Sequence, residues 1–166
     1  MKIMYLKGSA TQPIGDGPKI IVHICNDIGA WGAGFVLAVS RDHPVAETAY
    51  RSWYQGEPKW TEALGEIKLG KVQFVKTAPD ITVANMVAQR GIGWKNGNPP
   101  IRYSELISCL YQVSSSEAVR QGASVHMPRI GCGLAGGTWD KVEKLIQWTL
   151  IDAGIPVFVY DYEKAA

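Results

Sequence analysis

The order of apolar runs along this chain predicts an α/β domain of three layers, α/β/α, with helices on both faces of a mixed central sheet. Two observations lead there. Short runs rich in Val and Ile alternate with longer stretches whose apolar residues recur at helical spacing. Two glycine-rich segments, His23 to Phe35 and Met127 to Trp139, each leave a predicted strand and enter a predicted helix. The strands crowd together early in the chain and then follow a β-α-β-α-β order, which mixes the strand directions. At 166 residues the chain is read as one domain over residues 1–166, without internal repeat or linker.

The elements follow in order. Ile3 to Leu6 is a first strand, ended by Gly8. Lys19 to Cys25 (KIIVHIC) is a continuous β-branched run and reads as a buried strand. Ala33 to Val39 and Pro44 to Tyr54 read as helices. Gly65 to Leu69 and Val72 to Thr77 resemble a hairpin turning at Gly70-Lys71. Ile81 to Ala88 is a further apolar strand, preceded by the turn pair Pro79-Asp80.

In the second half, Asn98 is placed to cap a helix with Pro99 and Pro100 in its first turn, where missing N–H groups cost little. Tyr103, Leu106, Leu110 and Val113 continue it at helical spacing toward Arg120, and Gly122 stops it. Ser124 to Met127 is a short strand. Thr138 is placed to cap a last helix carrying Trp139, Val142, Leu145, Ile146 and Thr149 on one face. Gly154 ends that helix, and Pro156 to Tyr160 closes the chain as a strand.

Composition excludes several classes. The formal net charge is +2, and no stretch collects five or six like charges. A broad electrostatic surface for duplex nucleic acid is therefore not expected, although a single-strand groove stays open. The cysteines Cys25, Cys109 and Cys132 are odd in number and lack CxxC or His/Cys spacing, which argues against a disulfide framework and a metal site. Three reduced thiols in a cytoplasmic protein is the expectation. The apolar run in MKIMYLKGSA is too short for a signal peptide, and no run of 18 apolar residues is present. A monomer without cofactor is expected.

Ligands of open α/β sheets sit beyond the carboxyl ends of the strands, so the loops that follow strands draw attention. The first, HICNDIGAWGAGF, holds Gly29, Gly32 and Gly34. Its spacing is not GxGxxG, and a Walker A pattern is absent. The second, MPRIGCGLAGGTW, holds Gly131, Gly133, Gly136 and Gly137, with Cys132 and Ala135 as small residues between them. Exposed backbone N–H groups in such loops form anion-binding nests. Two of them at one sheet edge suit a diphosphate; the alternative is that these glycines merely make tight turns.

These two segments resemble the macrodomain family. The first resembles its asparagine loop, and PRIGCGLAGGTW resembles its phosphate-binding loop. The order of elements agrees along most of the chain, including the early Lys7-Gly8 strand end and the terminal VYDY. Within the family the resemblance points to the branch of terminal ADP-ribose glycohydrolases, DNA ADP-ribosyl glycohydrolase antitoxins and yeast-type ADP-ribose-1″-phosphatases.

The resemblance implies ADP-ribose as ligand. Asn26 would contact the distal ribose, and Gly32, Ala33 and Gly34, running into Phe35, would offer amides to the diphosphate. Gly131, Cys132, Gly133, Leu134, Ala135, Gly136 and Gly137 would wrap the second phosphate and the distal ribose, and Arg129 and Ile130, just before them, would also meet the ligand. Gly8, Ser9 and Ala10 would lie near the adenine, with Tyr160 or Tyr162 stacked on it. The sequence departs from the family pattern in three places. Ser9 stands where an aspartate is common; Ala88 and Gln89 stand where the glycohydrolase lysine is expected, with Lys95 nearby but shifted; Ala135 stands at the aspartate position of the second loop.

The remaining candidates each have a chemical and a structural reading. His23 is similar to the histidine of phosphatase-like members and can move a proton; otherwise it is a strand histidine that satisfies a backbone carbonyl. Asp27 can orient a water or bind a ribose hydroxyl; otherwise it stabilises an Asx turn. Gln89 and Arg90 can reach a terminal phosphate or ribose, or simply end a strand. Arg129 can equally pair with a carboxylate. Trp31 can cover the cleft, while Trp53, Trp60, Trp94, Trp139 and Trp148 read as packing residues, and Cys132 as filler. The function read from this is binding of ADP-ribose and hydrolysis of a group from its distal ribose: ADP-ribosyl hydrolase, O-acetyl-ADP-ribose deacetylase or ADP-ribose-1″-phosphatase. A non-enzymatic ADP-ribose reader is the alternative, and a module acting on ADP-ribosylated nucleic acid a third.

Overall fold

A computed structural model describes residues 1–162. Its strands are β1 (Met4–Lys7), β2 (Lys19–Asn26), β3 (Val72–Ala78), β4 (Ile81–Gln89), β5 (Ser124–Met127) and β6 (Val157–Asp161). Its helices are α1 (Val36–Asp42), α2 (Pro44–Tyr54), α3 (Pro58–Leu64), α4 (Tyr103–Ser114), α5 (Glu117–Arg120) and α6 (Trp139–Ile146), the last continuing into a π-helical turn over Gln147–Ile151.

The six strands form one sheet in the order β1-β6-β5-β2-β4-β3. Every neighbouring pair is parallel except β3 with β4, so the sheet is mixed, as expected. β2 is central and alternates its side chains between two cores, as a pleated strand must. Ile20 and Val22 join the larger core with Leu106, Leu110, Val142 and Ile146 from α4 and α6. Ile21 and Cys25 join a smaller one with Val39, Ala46 and Tyr50 from α1 and α2. The three layers follow from this division.

The hairpin expected at Gly70-Lys71 is not formed. β3 instead turns at Pro79-Asp80 and pairs antiparallel with β4, with a bulge between Lys76 and Ala78. Gly65 to Leu69 lies outside the sheet and has no strand to pair with. The helix expected from Asn98 also starts later, at Tyr103. Proline disfavours helical geometry in the residue before it. Pro99 and Pro100 accordingly lie in an extended segment that places Ile101 beside Gln89, and Arg102 Nη1 binds the carbonyls of Pro99, Pro100 and Ile101. That helix does not run on to Arg120. It breaks before Ser116, whose hydroxyl donates back to Val113 O at 2.7 Å while accepting from Val119 N to begin α5. The first helix begins at Val36 rather than Ala33, so Ala33 to Phe35 remain loop. The sequence reading did not contain α3, although Pro58 at its first position is a start signal. Among the described residues, no helix is long and apolar enough to cross a membrane.

Candidate functional site

The parallel strands β1, β6, β5, β2 and β4 all point their carboxyl ends to one edge. A cleft of about 860 Å³ opens there, lined by the end of β2, the loop from Ala30 to Val36, Gln89 with Ile92 to Trp94, and the loop from Pro128 to Ala135. That volume lies in the range of small-molecule sites, roughly 300–1,000 Å³. The two glycine loops meet across it: a Cβ built on Gly34 would lie 3.4 Å from Leu134 Cδ1.

The first loop is held from inside by Asn26. Its Oδ1 accepts from the amides of Ile28 and Ala30 at 3.1 and 3.0 Å, and its Nδ2 donates to Ala30 O at 2.7 Å. Beyond Asn26, Gly32, Ala33 and Gly34 are exposed on the cleft wall. Trp31 does not cover the cleft as a lid: it is 6% exposed and folds into the smaller core. Its Nε1 donates to Ser40 Oγ, which donates to Glu47 Oε1, each at 2.7 Å. Arg51 grips Glu47 Oε2 at 2.8 Å and reaches the Trp31 carbonyl at 3.2 Å. With Tyr50 bonded to Asn26 and the Tyr54 ring packed against Gly29, Glu47, Tyr50, Arg51 and Tyr54 form one α2 face that holds the loop, at the helical spacing visible in the sequence. The sequence reading did not assign them to the site.

In the second loop, Pro128 to Gly131 and Gly133 to Ala135 line the cleft. Gly136 and Gly137 lie behind it and serve packing. Gly137 N donates to Gly131 O at 2.6 Å, and a Cβ on Gly137 would meet that same oxygen. Cys132 is half-buried, its thiol directed to Ile130 O at 3.4 Å, as a filler residue would be. Arg129 lines the cleft, but its guanidinium makes a two-pronged pair with Asp161 at 2.6 and 3.0 Å. It also lies against the edge-to-face pair of Tyr5 and Trp139, 5.1 and 5.2 Å from their ring centroids. The carboxylate-pairing alternative therefore describes it.

His23 is 2% exposed beneath the cleft floor, edge-on to Trp31. Its Nε2 lies 2.5 Å from Asn85 Oδ1, and Asn85 Nδ2 donates onward to Gln73 and Ala46 O. Nε2 therefore carries the proton, and Nδ1 is the basic atom. Burial lowers the pKa to about 4, against the opposing pull of the Asn85 contact, so the ring is neutral at pH 7. Cys25, next to it, has its thiol pushed up by burial and is no ready thiolate.

Asp27 sits at the exit of β2, where its Oδ1 accepts from Gly91 N at 2.7 Å. This bond laces the β2 exit to the loop after β4. Gln89 lines the cleft and donates to Gly91 O at 2.9 Å. Arg90 is exposed and outside the lining. The sequence reading missed Ile92 and Trp94, which line the mouth and are 58% and 61% exposed; Trp94 is a surface aromatic, not a packing residue. Trp148, at 57% exposure, is likewise not packed.

Gly8, Ser9 and Ala10 follow β1 on the same sheet edge but do not line the cleft, and Ala10 is buried. Tyr160 cannot present its ring to a base. It is 3% exposed, and its hydroxyl accepts from Ile14 N at 3.0 Å and contacts His126 Nδ1 at 2.7 Å. Tyr162 is exposed beyond β6 and outside the lining.

No protein-family model matches the sequence. Among curated proteins, the chain is 31% identical over 173 residues to the zebrafish (Danio rerio) chromodomain-helicase-DNA-binding protein 1-like, covering 99% of this chain and 16% of that protein. The mouse counterpart is covered to 18%, so the chain spans less than a fifth of these relatives. A Bacteroides thetaiotaomicron protein of unknown function superposes with a TM-score of 0.88 at 50% identity, over 97% of this chain and 98% of that one. Thermosipho africanus DarTG, solved in complex with ADP-ribose, shares the fold at a TM-score of 0.62 and 19% identity, over 90% of this chain and 39% of that one. A macrodomain protein from Streptomyces coelicolor superposes with a TM-score of 0.82 at 47% identity, over 98% of this chain and 100% of that one. With that identity over essentially all of both chains, and two glycine loops converging on one cleft, this chain belongs to the macrodomain family.

Proposed function

We propose that the cleft binds ADP-ribose and that the protein hydrolyses a group carried on the distal ribose. The observation that carries the reading is the meeting of Gly34 and Leu134, which brings both glycine loops to one cavity. Amides of Gly32 to Gly34 on one wall and Gly131 to Ala135 on the other then face a single diphosphate. The DarTG complex supports the choice of ligand. The distal ribose lies toward Asn26, Gln89 and Trp94. Asp27 follows Asn26 just outside the cleft lining, with Oδ1 taken by Gly91, and its Oδ2 is the proposed acceptor of a proton from water. His23 lies below the floor as a neutral ring whose basic Nδ1 faces the Cys25 thiol at 4.0 Å. The substrates that fit are ADP-ribosylated protein, O-acetyl-ADP-ribose and ADP-ribose-1″-phosphate.

The test is to incubate the protein with each substrate and follow product release, with Asp27→Ala and His23→Ala beside it. Loss of a general base lowers kcat by about 10²- to 10⁴-fold, with ADP-ribose affinity retained. Normal turnover by either variant removes that residue from catalysis.

A second reading, a non-enzymatic reader of ADP-ribose, is favoured by the end of β4. Ala88 is fully buried and Gln89 is tied to Gly91 O, so neither residue at the expected lysine position is a nucleophile. Tight binding without turnover on any of the three substrates selects the reader.

A further inference from the structure

The sheet ends in two edge strands, β1 and β3. β1 has four residues, a length that resists further pairing, whereas β3 has seven. Along an antiparallel ladder, residues that bond the neighbouring strand alternate with residues that turn N–H and C=O away from it. Val87 N donates to Lys71 O at 2.9 Å, so in the register that follows Gln73 and Val75 bond β4, and Phe74 and Lys76 turn their backbone groups outward. Among the described residues, those outward groups have no backbone partner.

A groove of about 390 Å³ runs along this edge and shares no lining residue with the cleft. Phe74, Val75 and Lys76 line it in succession. Neighbouring residues of a strand point to opposite faces, so this lining follows the strand's edge rather than one face. The other wall comes from α2 and α3, with Val45 at 51% exposure and the half-buried Trp60. Gln73 donates to Ala49 O of α2, so Val75, two residues on, faces α2 as well, and Lys76 faces away from it. Lys59 and Lys76 in the lining are exposed and join no salt bridge among the described residues. Against these two cations the lining holds one acid, Glu57.

We propose that β3 docks an extended acidic peptide of another protein, added to the sheet as a further strand, with an acidic side chain opposite Lys76 and an apolar one opposite Val75. Backbone bonds to Phe74 and Lys76 hold the peptide, and the alternate side chains supply the choice of sequence. Directly opposite residues share a face. The apolar side chain therefore lies on the α2 side, toward Val45 and Trp60, and the acid meets the Lys76 ammonium on the other. An edge lysine followed by a bulge, as at Lys76 and Ala78, keeps a strand from pairing indiscriminately. An acid is the counterpart that such an edge admits. A second copy of β3, with sequence VQFVKTA, carries no acid and leaves Lys76 unanswered.

The test is an NMR titration of the full chain with a short blocked peptide alternating glutamate with valine, and with its lysine–valine counterpart. The glutamate peptide should shift the amides of Phe74 to Lys76 and bind about tenfold more tightly, the difference between an attractive and a repulsive cross-strand pair. Lys76→Glu, a change at an exposed side chain, should reverse that order while leaving amides away from β3 unmoved. N-methylation of the glutamates, whose N–H groups face β3 in antiparallel pairing, should abolish binding, and N-methylation of the valines should be tolerated. Binding of neither peptide, equal binding of both, or equal effects of the two N-methylations overturns the proposal. Self-association of the chain that Lys76→Glu abolishes would assign the edge to a second copy and overturns it too.

Discussion

Tyr50 donates its phenol hydrogen to Asn26 at two points, the backbone carbonyl at 2.6 Å and the side-chain Oδ1 at 2.9 Å. One residue of α2 thereby fixes the exit of β2 and the start of the first glycine loop. The phenol is fully buried, and burial pushes its pKa up, so it remains a donor across the working pH range. Tyr50→Phe keeps the ring and removes that donor. It should cost about 1–3 kcal/mol in urea unfolding, as loss of a buried hydrogen bond does, and should weaken ADP-ribose binding because the loop loses its anchor. A stability loss with unchanged affinity would separate the anchor from the site.

The glycines divide into two groups that substitution should tell apart. A Cβ on Gly137 would lie 2.6 Å from the backbone oxygen of Gly131, and a Cβ on Gly131 would lie 2.6 Å from Ile101 Cδ1 with φ at +76°. Alanine at either position should destabilise the fold by about 1–3 kcal/mol through overpacking and strain. Gly32 and Gly133 have nothing within 4 Å of a built Cβ, yet both line the cleft. Alanine there should leave unfolding within about 0.5 kcal/mol and still reduce ADP-ribose affinity, because the new methyl stands before the amides. Unchanged affinity in Gly32→Ala and Gly133→Ala would place the diphosphate elsewhere.

Acid should destabilise the protein in a defined window. His23 and His126 are both lowered from 6.5 to about 4, burial being the first cause in each and Lys19 a further one for His126. Between those values the unfolded chain binds protons that the folded one refuses. Stability therefore rises with pH through the window. It is fully present above pH 6.5 and is lost as pH falls toward 4, on the order of 3 kcal/mol for each imidazole. Thermal melts across this range should show the slope, and His126→Gln should reduce it. A flat profile between pH 4 and 6.5 would show that both rings titrate normally.

The layer order was legible because it depends on local signals: the KIIVHIC run, the helical spacing after Tyr103, and the glycine loops after strands. The hairpin was misplaced because Gly70-Lys71 and Pro79-Asp80 are both sound turn pairs, and only the long-range pairing of Val72–Ala78 with Ile81–Gln89 decides between them. In the site, the glycine loops declared themselves by composition. The roles of Glu47 and Arg51 did not, because they bear on Trp31, which lies in another element of the chain. Tyr160 looked available for stacking because an aromatic at a strand end gives no sign of its burial. Its engagement by Ile14 and His126 arises only when β6 settles between β1 and β5.

Trp94, a packing residue on sequence grounds, stands 61% exposed at the mouth of the cleft. It is not free of contacts: a Cβ on Gly136 would lie 2.9 Å from its ring, so one side of the indole rests on the second glycine loop. Much of the ring remains exposed beside the position proposed for the distal ribose. An indole braced by the loop and largely exposed keeps hydrophobic surface for a ligand at little ordering cost. Trp94→Ala should therefore unfold within about 1 kcal/mol of the wild type, as a surface change does. Its affinity for a ligand bearing a group on the distal ribose should fall roughly two- to tenfold, the worth of one aromatic contact. Free ADP-ribose, which lacks that group, should lose less. Equal losses for both ligands would mean that the indole meets the ribose itself, and no loss for either would place the ligand beyond its reach.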